Sequence, residues 1–131
     1  MDYILCSQAV IDHFKPTECS KPFRSGYDFD VDDAYYVAKI DVLEAETYYD
    51  TVIEPYNEKS RVNDIDFWFR TCNPGSMDDT KVTLKDCRKY GLFRAIEHAT
   101  SLTNESNRAM VICNLAEKFN CTPIEFINKI A

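Results

Sequence analysis

Asn73-Pro74-Gly75 and the polar run Ser76 to Thr80 split this 131-residue chain into stretches with different apolar periods, which limits the folds open to it. Proline presets φ at the second position of a turn, and glycine tolerates the positive φ that a type II turn needs next. The tripeptide therefore predicts such a turn, opening a loop. Before it, Tyr36, Ala38, Ile40 and Val42 alternate with Val37, Lys39, Asp41 and Leu43. Ile65, Phe67 and Phe69 likewise alternate with Asp64, Asp66, Trp68 and Arg70. A period of two marks a half-buried strand. For the first of these segments a helix over 33–51, capped by Asp32 or Asp33, is the alternative. Met1–Phe14 reads as a strand entering a helical turn that stops before Pro16. Residues 15–26 read as loop, and Pro55 as a breaker within 44–61.

Beyond the loop the spacing becomes helical. Thr83 with Asp86 forms a cap with an acid in the first turn. Leu84, Cys87, Gly91, Ala95, Ala99 and Leu102 then recur every three or four residues. Gly91 costs such a helix about 1 kcal/mol relative to alanine, which implies a close packing contact there. Asn104 caps a second helix reaching Phe119, with Ala109, Ile112, Cys113, Ala116 and Phe119 inward. Thr122-Pro123-Ile124-Glu125 supplies a cap, an N1 proline and an N3 glutamate in order. The last helix that follows turns Ile124, Ile127 and Ile130 inward. The expected architecture is a single α+β domain. A small, mostly antiparallel sheet from an acidic, β-rich half (1–72) packs with a three-helix unit (81–131).

Charge is divided in the same way. Residues 1–80 carry 17 Asp and Glu against 7 Lys and Arg, whereas residues 81–131 carry 5 against 8. Within 27–66 there are 12 carboxylates, opposed by Lys39, Lys59 and Arg61. Such a field concerns partners rather than fold. At 45 % hydrophobic residues, with 3 glycines and 5 prolines, the chain can bury a core without a metal or disulfide staple. Cys6, Cys19, Cys72, Cys87, Cys113 and Cys121 show no metal-site spacing, and the first residues lack a basic segment leading into a long apolar run. They read as reduced thiols of a cytoplasmic protein. No stretch is apolar over the roughly 18 residues that a membrane span needs.

Site motifs are sparse. Asp28-Phe29-Asp30-Val31-Asp32-Asp33 begins like a calcium-binding EF-hand loop, but Asp33 holds the position requiring glycine and Lys39 the one requiring glutamate. Only His13 and His98 are available as imidazole bases, no glycine-rich phosphate loop exists, and no catalytic residues, metal or cofactor emerge. Leu115 to Phe126 resembles the helix-turn-helix of DNA-binding regulators. Leu115-Ala116 match the pair that opens the first helix, Asn120 holds the turn glycine's position, and Cys121 and Thr122 follow as small residue and cap. The resemblance implies duplex reading by the last helix. That helix offers Glu125, Asn128 and Lys129, a poor set for base edges and phosphates.

The function expected from the residues is non-enzymatic protein binding. Asp28, Asp30, Asp32, Asp33, Asp41, Glu44, Glu46 and Asp50 would meet Lys or Arg of a basic, nucleic-acid-binding protein, with no direct contact to nucleic acid or membrane. Tyr35, Tyr36, Tyr48 and Tyr49 would supply anchor area. A short sheet would array the carboxylates at side-chain repeats of about 6.6 Å, competing with phosphates for a basic groove. In size and charge the chain is similar to small acidic proteins of phages and mobile elements that block restriction or CRISPR complexes. A DNA-binding regulator using the C-terminal hairpin and a small enzyme without a recognisable motif are the alternatives.

Overall fold

The computed structural model describes residues 1–27, 34–61, 66–76, 81–102 and 104–131. Its centre is β1 (Asp2–Ser7), paired antiparallel with β2 (Tyr35–Ile40) on one side and with β3 (Phe69–Thr71) on the other. Ile4, Leu5 and Cys6 are each fully buried. Successive strand residues face opposite ways, so Leu5 enters one core and Ile4 and Cys6 enter another. The fold is α+β, with helices on both sides of the sheet.

On the Leu5 side lie α4 (Leu84–Tyr90), α5 (Leu92–Ala99), α6 (Glu105–Lys118) and α7 (Pro123–Ile130). Phe93, Ile96, Ile112, Leu115, Phe126 and Ile127 close that core with Val37 of β2. On the Ile4 side lie α1 (Gln8–Phe14) and a helical rod over residues 42–60. The rod comprises α2 (Val42–Tyr48), a π turn (Tyr49–Ile53) and α3 (Glu54–Ser60). Val10, Ala45, Ile53 and Phe67 pack there against Ala38 and Ile40. Apolar cover on both faces explains why β1 reads as a continuous apolar run rather than an alternating one.

Caps fall where the side chains predict them. The Thr83 hydroxyl accepts from the Asp86 amide at 3.1 Å, and the Asn104 side chain accepts from the Asn107 amide at 2.9 Å. The Thr122 and Glu125 side chains each accept from the other's amide, a closed capping box. The Thr122 amide donating to it, with the Thr122 hydroxyl second, holds the exposed Glu125 carboxyl below its ordinary range. Asn120 takes the left-handed conformation (φ 56°) that joins α6 to α7.

Several expectations need correction. The strand of the first alternating segment ends at Ile40, because the Asp41 carboxylate accepts from the Leu43 and Glu44 amides (2.9 and 3.1 Å) and starts a helix. Strand and helix are thus both present, in succession. Pro55 does not break the helix. It lies in the first turn after the π turn, whose wider hydrogen-bonding pattern removes the usual requirement for its missing N–H. Consequently the described residues of the first half are more helical than stranded. Gly75 lacks the positive φ of a type II turn, since among the glycines only Gly26 and Gly91 have it. Gly75 is instead anchored through its backbone: its N–H donates to the Asn114 side-chain oxygen and its C=O accepts from the Asn114 side-chain nitrogen, with the Met110 side chain alongside.

Among the described residues the C-terminal part has four helices, not three. Gly91 at φ +89° ends α4 and starts α5, and the close contact expected there is a backbone crossing with Gly26. A Cβ on Gly91 would lie 2.3 Å from the Gly26 Cα. We expect Gly91→Ala to combine left-handed strain with backbone overlap, costing about 3 kcal/mol and lowering the melting temperature by about 10 °C. Calorimetry of the variant checks this; an unchanged midpoint would show that the crossing is slack.

Candidate functional site

The rod buries a narrow strip of its surface and leaves the rest to solvent. Asp41 is consumed as the cap of α2, but Glu44, Glu46, Asp50, Glu54 and Glu58 are all exposed. Among the described residues the ion pairs are Lys39–Glu18 and Arg108–Glu97, so none of these five carboxylates is paired. Glu46, Asp50, Glu54 and Glu58 follow at four-residue steps, each rising about 6 Å along an α-helix. Such steps drift around a 3.6-residue helix. The π turn, needing more residues per revolution, offsets part of that drift.

Apolar exposure concentrates on the same rod. Leu43, Tyr49, Val52 and Tyr56 are 68, 38, 45 and 53 % exposed, and they account for four of the six large exposed hydrophobic residues of the described chain. Tyr49, Val52 and Tyr56 are spaced three and four apart, as neighbours on a helix surface are. Beside the rod runs a cleft of about 600 Å³, bordered by Val42, Glu46, Tyr49 and Asp50 on one side and by Phe67 to Thr71 on the other.

The outer edge of β3 opens nearby. Ser7 donates its amide to Trp68 O, and Cys72 donates its amide to Tyr3 O, so the alternating ladder points the backbone N–H and C=O of Arg70 toward β1 and those of Phe69 and Thr71 toward the outer edge. The other edge, along β2, is covered by the segment 18–23, where Ser20 and Phe23 bond to Val37 and Tyr35.

Of the residues anticipated from the sequence, Asp28, Asp30, Asp32 and Asp33 lie outside the described residues. Glu44, Glu46, Asp50 and Tyr49 come together on the rod. Their scaffold is a helix, which replaces the expected carboxylate array on a sheet. Tyr35 cannot serve as an anchor: it is buried against Phe23, Trp68 and Phe93. Tyr36 is half-buried and donates to the Gln8 side chain, and Tyr48 is half-buried, stacked on His13 at 3.5 Å. Val52 and Tyr56 were not legible as contact residues, because reading Pro55 as a breaker hides the helix that exposes them.

Other chemistry is thinly provided. His13 lies on the Tyr48 ring, and His98 approaches the Tyr90 ring at 5.9 Å. No group of three or more His, Cys, Asp or Glu side chains among the described residues is placed to hold a metal ion. No helix there is long and apolar enough to cross a membrane. In the C-terminal hairpin, the Asn128 side chain accepts from the Lys21 amide at 2.8 Å, and Lys129 O accepts from Arg88 at 3.0 Å, so part of the outer face of α7 is tied to the body.

All six cysteines are free thiols. Burial pushes Cys72 up to about 12 and Cys87 up to about 11, and raises Cys6, Cys19, Cys113 and Cys121 as well. Thiolates are the reactive form, so these groups are poor nucleophiles in the folded chain. Comparison with known protein families, characterised proteins and solved structures finds no match to this chain.

The raised thiols have a consequence for alkaline stability. Above the ordinary value of 9.0 the unfolded chain releases protons that folded Cys72 and Cys87 retain, so their contribution is complete below that pH and is lost as pH rises toward 11–12. We expect denaturation curves to show stability falling from about pH 9 upward, with a shallower fall in the Cys72→Ala/Cys87→Ala variant. Equal slopes in the two proteins would mean that these thiols ionise in the folded state.

Proposed function

We propose that this chain is a non-enzymatic protein-binding module whose helical rod engages a basic surface on another protein. In its sharpest form it is an inhibitor or decoy that occupies the nucleic-acid groove of that partner. One observation carries the reading: an unpaired row of carboxylates and exposed Tyr49, Val52 and Tyr56 share one helical element.

Long-range attraction from the acidic half steers a cationic partner to the rod, and the aromatic side chains then supply short-range contact area. Aromatic residues dominate binding energy where they are desolvated, whereas rim charges set rate and salt dependence. The carboxylate row carries about one charge per 6 Å, against about one per 3.4 Å for a single strand of duplex. It would thus match about half the charge density of one phosphate strand, and contact by the tyrosines makes up the difference. The adjacent cleft, with Glu46 and Asp50 on its wall, fits the end of a lysine or arginine side chain.

A salt-graded capture experiment with identification of the retained protein tests this. We expect a basic, nucleic-acid-binding partner that is released between low and moderate salt and displaced by duplex DNA. Glu46→Gln, Asp50→Gln, Glu54→Gln and Glu58→Gln together should weaken capture by about tenfold or more, since each rim charge contributes a few tenths to about 1 kcal/mol. Unchanged capture by that variant would rule out the acidic rod as the binding element. Direct, saturable binding of duplex DNA by the chain alone would instead favour the regulator.

A further inference from the structure

Although the chain as a whole is strongly acidic, one of its cavities is bordered, among the charged side chains of the described residues, by cations alone. Arg24, Arg88, Lys89 and Arg94 surround a recess of about 410 Å³, and no Asp or Glu of the described residues lines it. Each of the four is exposed, and none takes part in an ion pair among the described residues. The backbone end at Ala131 also borders the recess and pairs with none of them.

The cations come from three separate elements, and the fold holds those elements together. The loop containing Arg24 is laced to α5 by two bonds, Leu92 N–H to Arg24 O at 3.4 Å and Arg94 N–H to Ser25 O at 3.0 Å. Gly26 and Gly91 line the recess and cross there without room for a Cβ on either. Arg88 is oriented by donating its Nε–H to Lys129 O at 3.0 Å, which leaves its terminal nitrogens available.

Two of the four have an ordinary explanation. Arg88 and Lys89 occupy the last turn of α4, where cations complement the helix dipole. Arg94 does not. It is the third residue of α5, at the end of a helix where positive charge is disfavoured, and that end has no acid in its first turn and no side-chain cap. Arg24 adds a further like charge from the loop. Unpaired like charges around one recess repel each other, and an anion seated among them adds an attraction to each that offsets the repulsion.

From this we infer that the recess bounded by Arg24, Arg88, Lys89 and Arg94 is a binding site for an organic phosphate of about nucleotide size. Guanidinium groups fit phosphate oxygens in pairs, which suits three arginines to a multiply charged phosphate. The volume lies within the range of about 300–1,000 Å³ typical of small-molecule sites. It exceeds what a bare phosphate fills, and Pro22 and Ile130 offer apolar wall for the remainder. This site is separate from the acidic rod and does not depend on the function proposed for it.

Titration of the full chain with inorganic phosphate, pyrophosphate and ADP in metal-free buffer, followed by amide NMR and calorimetry at fixed ionic strength, tests the assignment. We expect saturable shifts of the Gly26, Gly91 and Arg94 amides with ADP, and weaker effects with phosphate. Arg24→Gln/Arg94→Gln should raise the ADP dissociation constant by about tenfold or more. The charge-matched variant Lys15→Gln/Lys59→Gln should leave it unchanged. The wild-type shift map stands even if the arginine variant folds poorly. Absence of saturable shifts at Gly26 and Gly91 with every probe would overturn the site. So would equal loss of binding in the lysine variant, or saturation by pyrophosphate with none by ADP.

Discussion

The structure depends on β1 being buried on both faces. Three consecutive side chains, Ile4, Leu5 and Cys6, have no solvent exposure, and each aliphatic one contributes about 2–3 kcal/mol of transfer free energy. Among the described residues the sheet has three strands, so β1 holds the central position and supplies apolar groups to both layers of helices. A one-residue slip would exchange the faces without exposing an apolar side chain, so hydrophobicity alone sets the register weakly. Ser7 pins it. Its buried hydroxyl donates to Asp66 O at 2.6 Å and accepts from the Trp68 amide, while its own amide donates to Trp68 O.

That arrangement shapes what each layer can present. The four C-terminal helices enclose a large core and bury most of their apolar side chains in it. The rod covers the smaller remaining face through Val42, Ala45, Tyr48 and Ile53, a narrow contact for an element of 19 residues. Its other sides are exposed among the described residues, and the unpaired acids and exposed tyrosines lie there. The charge split in the sequence thus becomes a division of labour between layers: acidic rod on one side of the sheet, and on the other a helical layer with a cationic recess at its α4–α5 junction.

Much of the fold was legible because local signals and tertiary packing agree. Thr83, Asn104 and the Thr122–Glu125 box cap the helices that their spacing announces, and the entry of β1 into α1 follows its apolar run. Misreadings arose where one residue has two structural uses. Asp41 looks like the polar half of a strand alternation, yet its carboxylate is a helix cap. Gly75 looks like the glycine of a type II turn, yet it lacks the positive φ and is held through its backbone by the Asn114 side chain. Pro55 looks like a terminator, yet a π turn accommodates it. Gly91 announced a contact but not a break, since spacing continues across it. The candidate surface was legible as charge and not as geometry. Glu44, Glu46, Asp50 and Tyr49 were identifiable by composition, whereas burial removes Tyr35 and the hidden helix delivers Val52 and Tyr56. The cationic recess has no sequence signature, because Arg24 precedes Arg88, Lys89 and Arg94 by more than 60 residues and is brought beside them at the Gly26–Gly91 crossing.

The central claim is that a doubly buried strand holds the domain together while the rod is a lightly attached outer layer. Native-state hydrogen exchange measured amide by amide tests it most directly. The amides of Ile4, Leu5, Val37 and Ala38 should exchange only through global unfolding, and those of residues 49–60 through openings several kcal/mol less costly. Exchange of β1 as rapid as that of the rod, or one common opening energy across both, would contradict the account.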